Sequence, residues 1–207
     1  MVHSHFPADP EWKVLLQDQL VKQPVNFFQL ATVAEASVPH VRTLTLKGFL
    51  GETSYSKKSQ IPEESRNPSA RSDVFFITSN AQQTKFKDLA FSNQVEAVFW
   101  IAPAGTQWRI RGHAVVIGGK GELEATGRKE LHRHLTTSDP SWSWEKELQK
   151  IYDGLDAKSR ESFGESEEIS EDFRLLVVVP EHIEADMLKP EEKKLHWAVE
   201  AEVASKV

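Results

Sequence analysis

The chain contains no cysteine among its 207 residues. That excludes a disulfide framework and any thiolate chemistry. No stretch approaches the roughly 20 apolar residues that a helix needs to span a bilayer. The opening segment, MVHSHFPADPEW, lacks a basic region followed by an apolar run, so it does not read as a secretory signal. A reducing, cytoplasmic setting is the expectation. Nucleotide-binding signatures are missing too. Gly118-Gly119-Lys120-Gly121 has no Ser or Thr after its Lys, and there is neither a dinucleotide glycine fingerprint nor a nucleophile elbow. A net charge of −6 gives no global attraction to nucleic acid. His132 and His134 have the spacing of strand-borne metal ligands but fall in a helical pattern, and no cysteine or tight carboxylate cluster joins them. No metal, nucleic acid or membrane is expected as a partner.

What is present is mostly β patterning. Residues 27–33 and 40–49 read as two strands of a hairpin whose turn type is not legible. Residues 73–78 read as a short apolar strand and 173–180 as a buried one. Residues 95–102 and 107–118 flank Pro103-Ala104-Gly105-Thr106 as a second hairpin. In its second arm, period-2 alternation predicts Gln107, Arg109, Arg111 and His113 on one face, with Trp108, Ile110, Ala114 and Val116 on the other. Helical patterns cover 11–23, with apolar residues at 12, 15, 16 and 20, and also 82–91, 122–135 and 142–155. Residues 51–72 read as a polar surface loop, and the charged tail from 190 has no clear structure. We expect one domain over 1–207, mainly β with flanking helices (α+β), arranged as a small barrel with a mostly helical insertion at about 120–172. An α/β sandwich is the competing architecture, because 73–102 reads strand–helix–strand.

Three short segments carry candidate chemistry. Arg42 lies in Arg42-Thr43-Leu44-Thr45-Leu46-Lys47. Thr78 and Ser79 end a strand ahead of Lys85, in the first turn of a helix. Gln107 opens Gln107-Trp108-Arg109-Ile110-Arg111-Gly112. An Arg fork, a Lys, hydroxyl donors and a helix start suit a phosphate. Read singly, Arg42 also fits a strand residue beside a carboxylate, and Lys85 a solvated helix residue.

These segments resemble, over about residues 25–118, the pyridoxamine 5'-phosphate oxidase family of FMN-binding split barrels. FFQLATVAEASVPHVRTLTLKGF is similar to the family's first hairpin, and the third segment to the subgroup with a Q-x-R-x-x-G block. The resemblance implies a split β-barrel, an FMN cofactor, a homodimer and a small-molecule substrate. It implies that Arg42 and Lys85 bind the phosphate with Thr78 and Ser79, and that the Thr43–Leu44 backbone faces the isoalloxazine. Lys47 is counted with these cofactor-binding residues, its equivalent contacting substrate phosphate in the true oxidases, and Gln107 would reach the flavin across the dimer interface. Two departures stand out. Gln82-Gln83-Thr84 replaces the family's helix-start Arg, which implies weaker FMN binding. At the C-terminal end Lys194-Leu195-His196-Trp197 lacks the final Arg of the true oxidases, so pyridoxamine phosphate oxidase activity is not expected. The leading expectation is an FMN-dependent oxidoreductase of unknown substrate. The alternative is a non-catalytic split barrel that has lost firm FMN binding.

Overall fold

A computed structural model describes residues 8–23, 26–52, 69–119, 122–163, 168–189 and 191–199. Helix α1 (Glu11–Leu20) starts behind Pro10, whose carbonyl accepts from the Lys13 and Val14 amides at 3.0 and 3.1 Å. Strands β1 (Phe27–Val33) and β2 (Pro39–Thr45) pair antiparallel, with Leu30 opposite Arg42. Their connection carries Ala36 and Ser37 at φ 59° and 61°. Non-glycine residues rarely take such angles, so no sequence signal announces this turn. Then follow β3 (Gly48–Phe49), β4 (Ala70–Ser72), β5 (Phe75–Asn80), α2 (Lys85–Phe91), β6 (Gln94–Ile101) and β7 (Thr106–Ile117). The second half supplies α3 (Glu122–His132), β8 (Leu135–Thr137), α4 (Trp144–Asp153), α5 (Ala157–Glu161), β9 (Phe173–Met187) and β10 (Lys193–Ala198).

The main sheet runs β2-β1-β6-β7-β9-β5-β3, with β10 also on β9, and each of these pairings is antiparallel. Its end members β2 and β3 are joined directly through Leu46 and Lys47. The Leu46 amide bonds Asn26 O at 2.9 Å on one side, and the Lys47 amide bonds Phe76 O at 3.0 Å on the other. The chain thus links both edges of a strongly curled sheet, the split-barrel architecture. The sandwich alternative is excluded, because its strand–helix–strand unit requires parallel neighbours.

Two cores flank the sheet. Inside the barrel, Phe28, Leu30, Phe75, Phe99, Trp108 and Ile110 are buried, and α1 closes one end with Trp12, Leu16 and Leu20. Burying one such side chain contributes about 1.5–3 kcal/mol. Outside, Leu131 of α3 and Leu148, Ile151 and Tyr152 of α4 cover Val115, Ile117, Leu175, Val177 and Val179. The two cores explain the run Leu175-Leu176-Val177-Val178-Val179: Leu176 and Val178 face inward, and their neighbours face the helices. They also extend the alternation expected for β7. Its odd-numbered face is polar or half-exposed from Gln107 to His113, but turns apolar at Val115 and Ile117 where the helices cover it.

Several boundaries differ from expectation. Ala70–Ser72, expected within a polar loop, pairs with β8 as strand; residues 53–68 of that loop lie outside the described residues. The late strand continues to Met187, and the tail adds β10 beside it. A register shift between Arg111 and Gly112 bends β7 against β9. There a Cβ on Gly112 would lie 1.9 Å from Val179 O, so close backbone approach requires glycine at the end of the Q-x-R-x-x-G block. No helix among the described residues is long and apolar enough to cross a membrane.

Candidate cofactor site

Alternation along β2 turns His40 and Arg42 toward α2 at one end of the barrel. Arg42 Nη1 donates to Leu30 O at 3.0 Å, and Nη2 donates to Asp88 Oδ2 at 2.9 Å. Asp88 is buried on α2. The same carboxylate accepts from Thr32 Oγ1 at 2.6 Å and lies 3.1 Å from His40 Nδ1. Burial opposes its charged form, but the hydrogen bonds from Thr32, His40 and Arg42 outweigh burial and hold the carboxyl below its ordinary range.

Lys85 opens α2 and is buried. Burial, and then the positive charge of Arg42, push its pKa down to about 8. The two cations therefore sense one another. Lys85 Nζ donates to Gln83 Oε1, and Ser79 Oγ donates to that same oxygen at 3.2 Å. Gln83 itself is exposed. Two donors from buried residues thus converge on one oxygen carried by a solvent-facing side chain. That is the arrangement an anionic oxygen would complete. The helix adds little to it: α2 has only seven residues, and Thr84 makes no side-chain cap.

Arg42, Lys85 and Ser79 come together, and the remaining expected residues are placed elsewhere. Thr78 precedes Ser79 on β5 and so faces the other side of the sheet, half-exposed. Thr43 is exposed and Leu44 packs against the barrel core. Both lie on β2, whose second edge pairs with no strand among the described residues. Lys47 sits at the far end of this segment, 3.7 Å from Asp156 Oδ2. Gln107 lies on the outward face of β7, three strands from β2 in the sheet, beside the exposed Trp100. With about 4.8 Å between strands, Gln107 stands far from its own chain's Arg42 and on the opposite face. Gln107, Trp100, Asp186, Leu188 and Lys194 line a small groove of about 190 Å³.

Four further histidines have partners elsewhere. His113 is held between Glu181, 2.7 Å from Nδ1, and Glu130 at Nε2. Burial lowers its pKa, but these two carboxylates outweigh burial and raise it. His134 lies 3.0 Å from Asp73, and His132 packs on Trp142. Lys194 and His196 stand opposite Asp186 and Glu184 on β9, at 3.5 and 4.0 Å. Sequence reasoning missed Asp88, Thr32, His40 and Gln83. The available signals were the two-residue offset of His40 from Arg42 and the three-residue offset of Asp88 from Lys85, each of which puts both side chains on one face.

The profile of the family described as pyridoxamine 5'-phosphate oxidase, FMN-binding domain, matches residues 9–118, more than half of the chain. The chain belongs to this family. Among solved structures, it is similar to a pyridoxamine 5'-phosphate oxidase-related, FMN-binding protein of Nostoc punctiforme. That likeness has 16% identity and a TM-score of 0.59, over 94% of this chain and 99% of that one. A protein related to general stress protein 26, from Clostridium acetobutylicum, gives 8% identity and a TM-score of 0.50, over 92% and 97% of the two chains. At such identities these likenesses establish the fold. No curated protein sequence matches the chain.

Proposed function

We propose that this protein binds FMN and acts as an FMN-dependent oxidoreductase on a small molecule. The observation that carries this reading is the convergence of Arg42, Lys85 and Ser79 beside α2: Arg42 bonds Asp88 of the helix that Lys85 opens, and Lys85 and Ser79 share one acceptor. Their donor set fits a phosphomonoester: a guanidinium with unused N–H groups, an ammonium and a hydroxyl. From there the free edge of β2 leads past Thr43 and Leu44 toward Lys47, along which the ring system would lie. When bound, FMN supplies the redox chemistry. The chain's own residues neutralise the phosphate and orient the ring.

A second copy of the chain would complete the pocket. Gln107 faces away from its own cation cluster, so it would reach a flavin held by a partner. The outward face of β1, β2 and β6 exposes Phe27, Val41 and Trp100 at 52%, 65% and 47%, an apolar surface suited to a homodimer. Only monomer in sedimentation at micromolar concentration would contradict the shared pocket. Oxidation of pyridoxamine phosphate is not expected, since Lys194-Leu195-His196-Trp197 lacks the final Arg of the true oxidases.

One observation favours a second reading, a scaffold with weak flavin affinity. Gln83 holds Ser79 and Lys85 where the family's helix start carries an Arg. The absorbance spectrum of purified protein, with FMN added back and excess removed, separates the two. A flavin band approaching one FMN per chain supports the oxidoreductase reading, and a colourless protein after add-back supports the scaffold.

A further inference from the structure

We propose that Asp88 is the positioning residue of the phosphate site, acting through Arg42. The inference rests on the FMN reading above. It starts from the company Asp88 keeps. One buried carboxylate gathers Arg42 at 2.9 Å, Thr32 at 2.6 Å and His40 at 3.1 Å, from β2, β1 and β2 respectively. An arginine has five N–H donors. Leu30 O and Asp88 each take one from Arg42, so three are left for a ligand. A long flexible side chain is thereby pinned by two fixed acceptors on different elements, with the rest of its fork available. Lys85 lies on the same short helix as Asp88, so one element fixes both cations.

Two effects of Asp88 on a bound phosphate oppose each other. Its negative charge repels the ligand, and its hold on Arg42 pre-organises the ligand's strongest donor. Orientation should win. The carboxylate's oxygens are already engaged by Arg42, Thr32 and His40, so much of its field is cancelled locally. A pinned fork also loses less freedom when it binds than a free one. Asp88 is therefore expected to tighten FMN binding without touching it.

The test is a double-mutant cycle read by flavin fluorescence, with FMN and riboflavin as probes of wild type, Asp88→Ala, Asp88→Asn, Arg42→Ala and the Asp88→Ala/Arg42→Ala pair. Asp88→Ala should weaken FMN about tenfold, equivalent to the loss of roughly one good hydrogen bond, and leave riboflavin unchanged. Asp88→Asn should fall between, because its amide oxygen still accepts from Arg42. In the Arg42→Ala background only the repulsion is left, so Asp88→Ala should cause no further loss and at most a slight gain in FMN affinity. Thr32→Val keeps the side-chain volume and removes one hydrogen bond to the same carboxylate. It should give a smaller loss in the same direction, and it serves if Asp88→Ala does not fold. Tighter FMN binding by Asp88→Ala, equal loss of FMN and riboflavin, or additive effects in the pair would each overturn the proposal. Wild type binding FMN no better than riboflavin would instead overturn the phosphate reading itself, and the positioning role with it, before any variant is compared.

Discussion

Asp88 and Glu147 are helix-borne carboxylates of nearly equal burial, exposed to 5% and 3%, and their pKa values are shifted in opposite directions. Asp88, in the half of the chain that matches the family, is surrounded by donors and stays below its ordinary range. Glu147 lies on α4 in the helical half. Burial raises its pKa, while Lys150 and the Gly51 amide offset only part of that cost. Its Oε1 is buried without a hydrogen-bond partner. Burial alone therefore does not decide the charge of a carboxylate; the number of donors aimed at it does. One end of the barrel has organised its donors around a charge, and the helical cover has buried a charge at a cost.

The largest effect should come from removing the organised cations. Arg42→Ala or Lys85→Ala should each weaken FMN by about ten- to hundredfold, since a hydrogen bond to a charged group is worth about 1.5–3 kcal/mol. Riboflavin, without a phosphate, should respond to neither. Arg42→Lys should recover only part, because an ammonium cannot reproduce the fork. The two alanine variants should differ in melting temperature. Arg42→Ala strips a buried carboxylate of its cation, whereas Lys85→Ala removes a charge that burial already penalises. Equal loss of FMN and riboflavin by folded variants would reduce both residues to ordinary cations.

Next in size is a pH effect. With its pKa near 8, Lys85 is largely uncharged at pH 9 in the free protein. Binding a phosphate would draw the proton back. FMN affinity should therefore fall as pH rises above about 8, and binding at pH 9 should take up close to one proton. Calorimetry in two buffers of different ionisation enthalpy measures that uptake. It should vanish in Lys85→Ala, and wild-type heats that ignore the buffer would contradict the coupling.

How much of this was legible beforehand depends on where the information lies. Alternation placed Gln107 and Trp108 on opposite faces of β7, because period 2 is enforced wherever one sheet face is buried. The β1–β2 turn was not legible, since it uses Ala36 and Ser37 rather than glycine. The apolar switch at Val115 and Ile117 was hidden because α3 and α4, far away in sequence, create it. The hydroxyl pair was over-read: neighbours on a strand diverge, so Ser79 joins Lys85 and Thr78 does not. Asp88 was missed because its role appears only when α2 is docked on β1 and β2.

A smaller effect should come from the helical half. Glu147 has a raised pKa in the folded state, so its stability contribution is fully present below the unfolded value and is lost as pH rises through the folded one. Glu147→Gln should therefore match wild type near pH 4 and exceed it at pH 7 by about 1 kcal/mol, the order of a buried unsatisfied group. Chemical denaturation at the two pH values checks this. A variant less stable at pH 7 would mean that Glu147 is compensated as well as Asp88 is. The smallest effect concerns Gln83, whose carbonyl occupies the point where Ser79 and Lys85 converge. Gln83→Ala should tighten FMN by about threefold, a change of well under 1.4 kcal/mol, and leave riboflavin unchanged. Weaker FMN binding would make Gln83 a ligand donor instead.

The most direct test of the central claim is a crystal structure of the protein with FMN. The phosphate oxygens are expected within hydrogen-bond distance of Arg42, Lys85 Nζ and Ser79 Oγ, with the Gln83 side chain displaced and Asp88 still holding Arg42. A phosphate bound away from these residues, with Gln83 still bridging Ser79 and Lys85, would contradict the account.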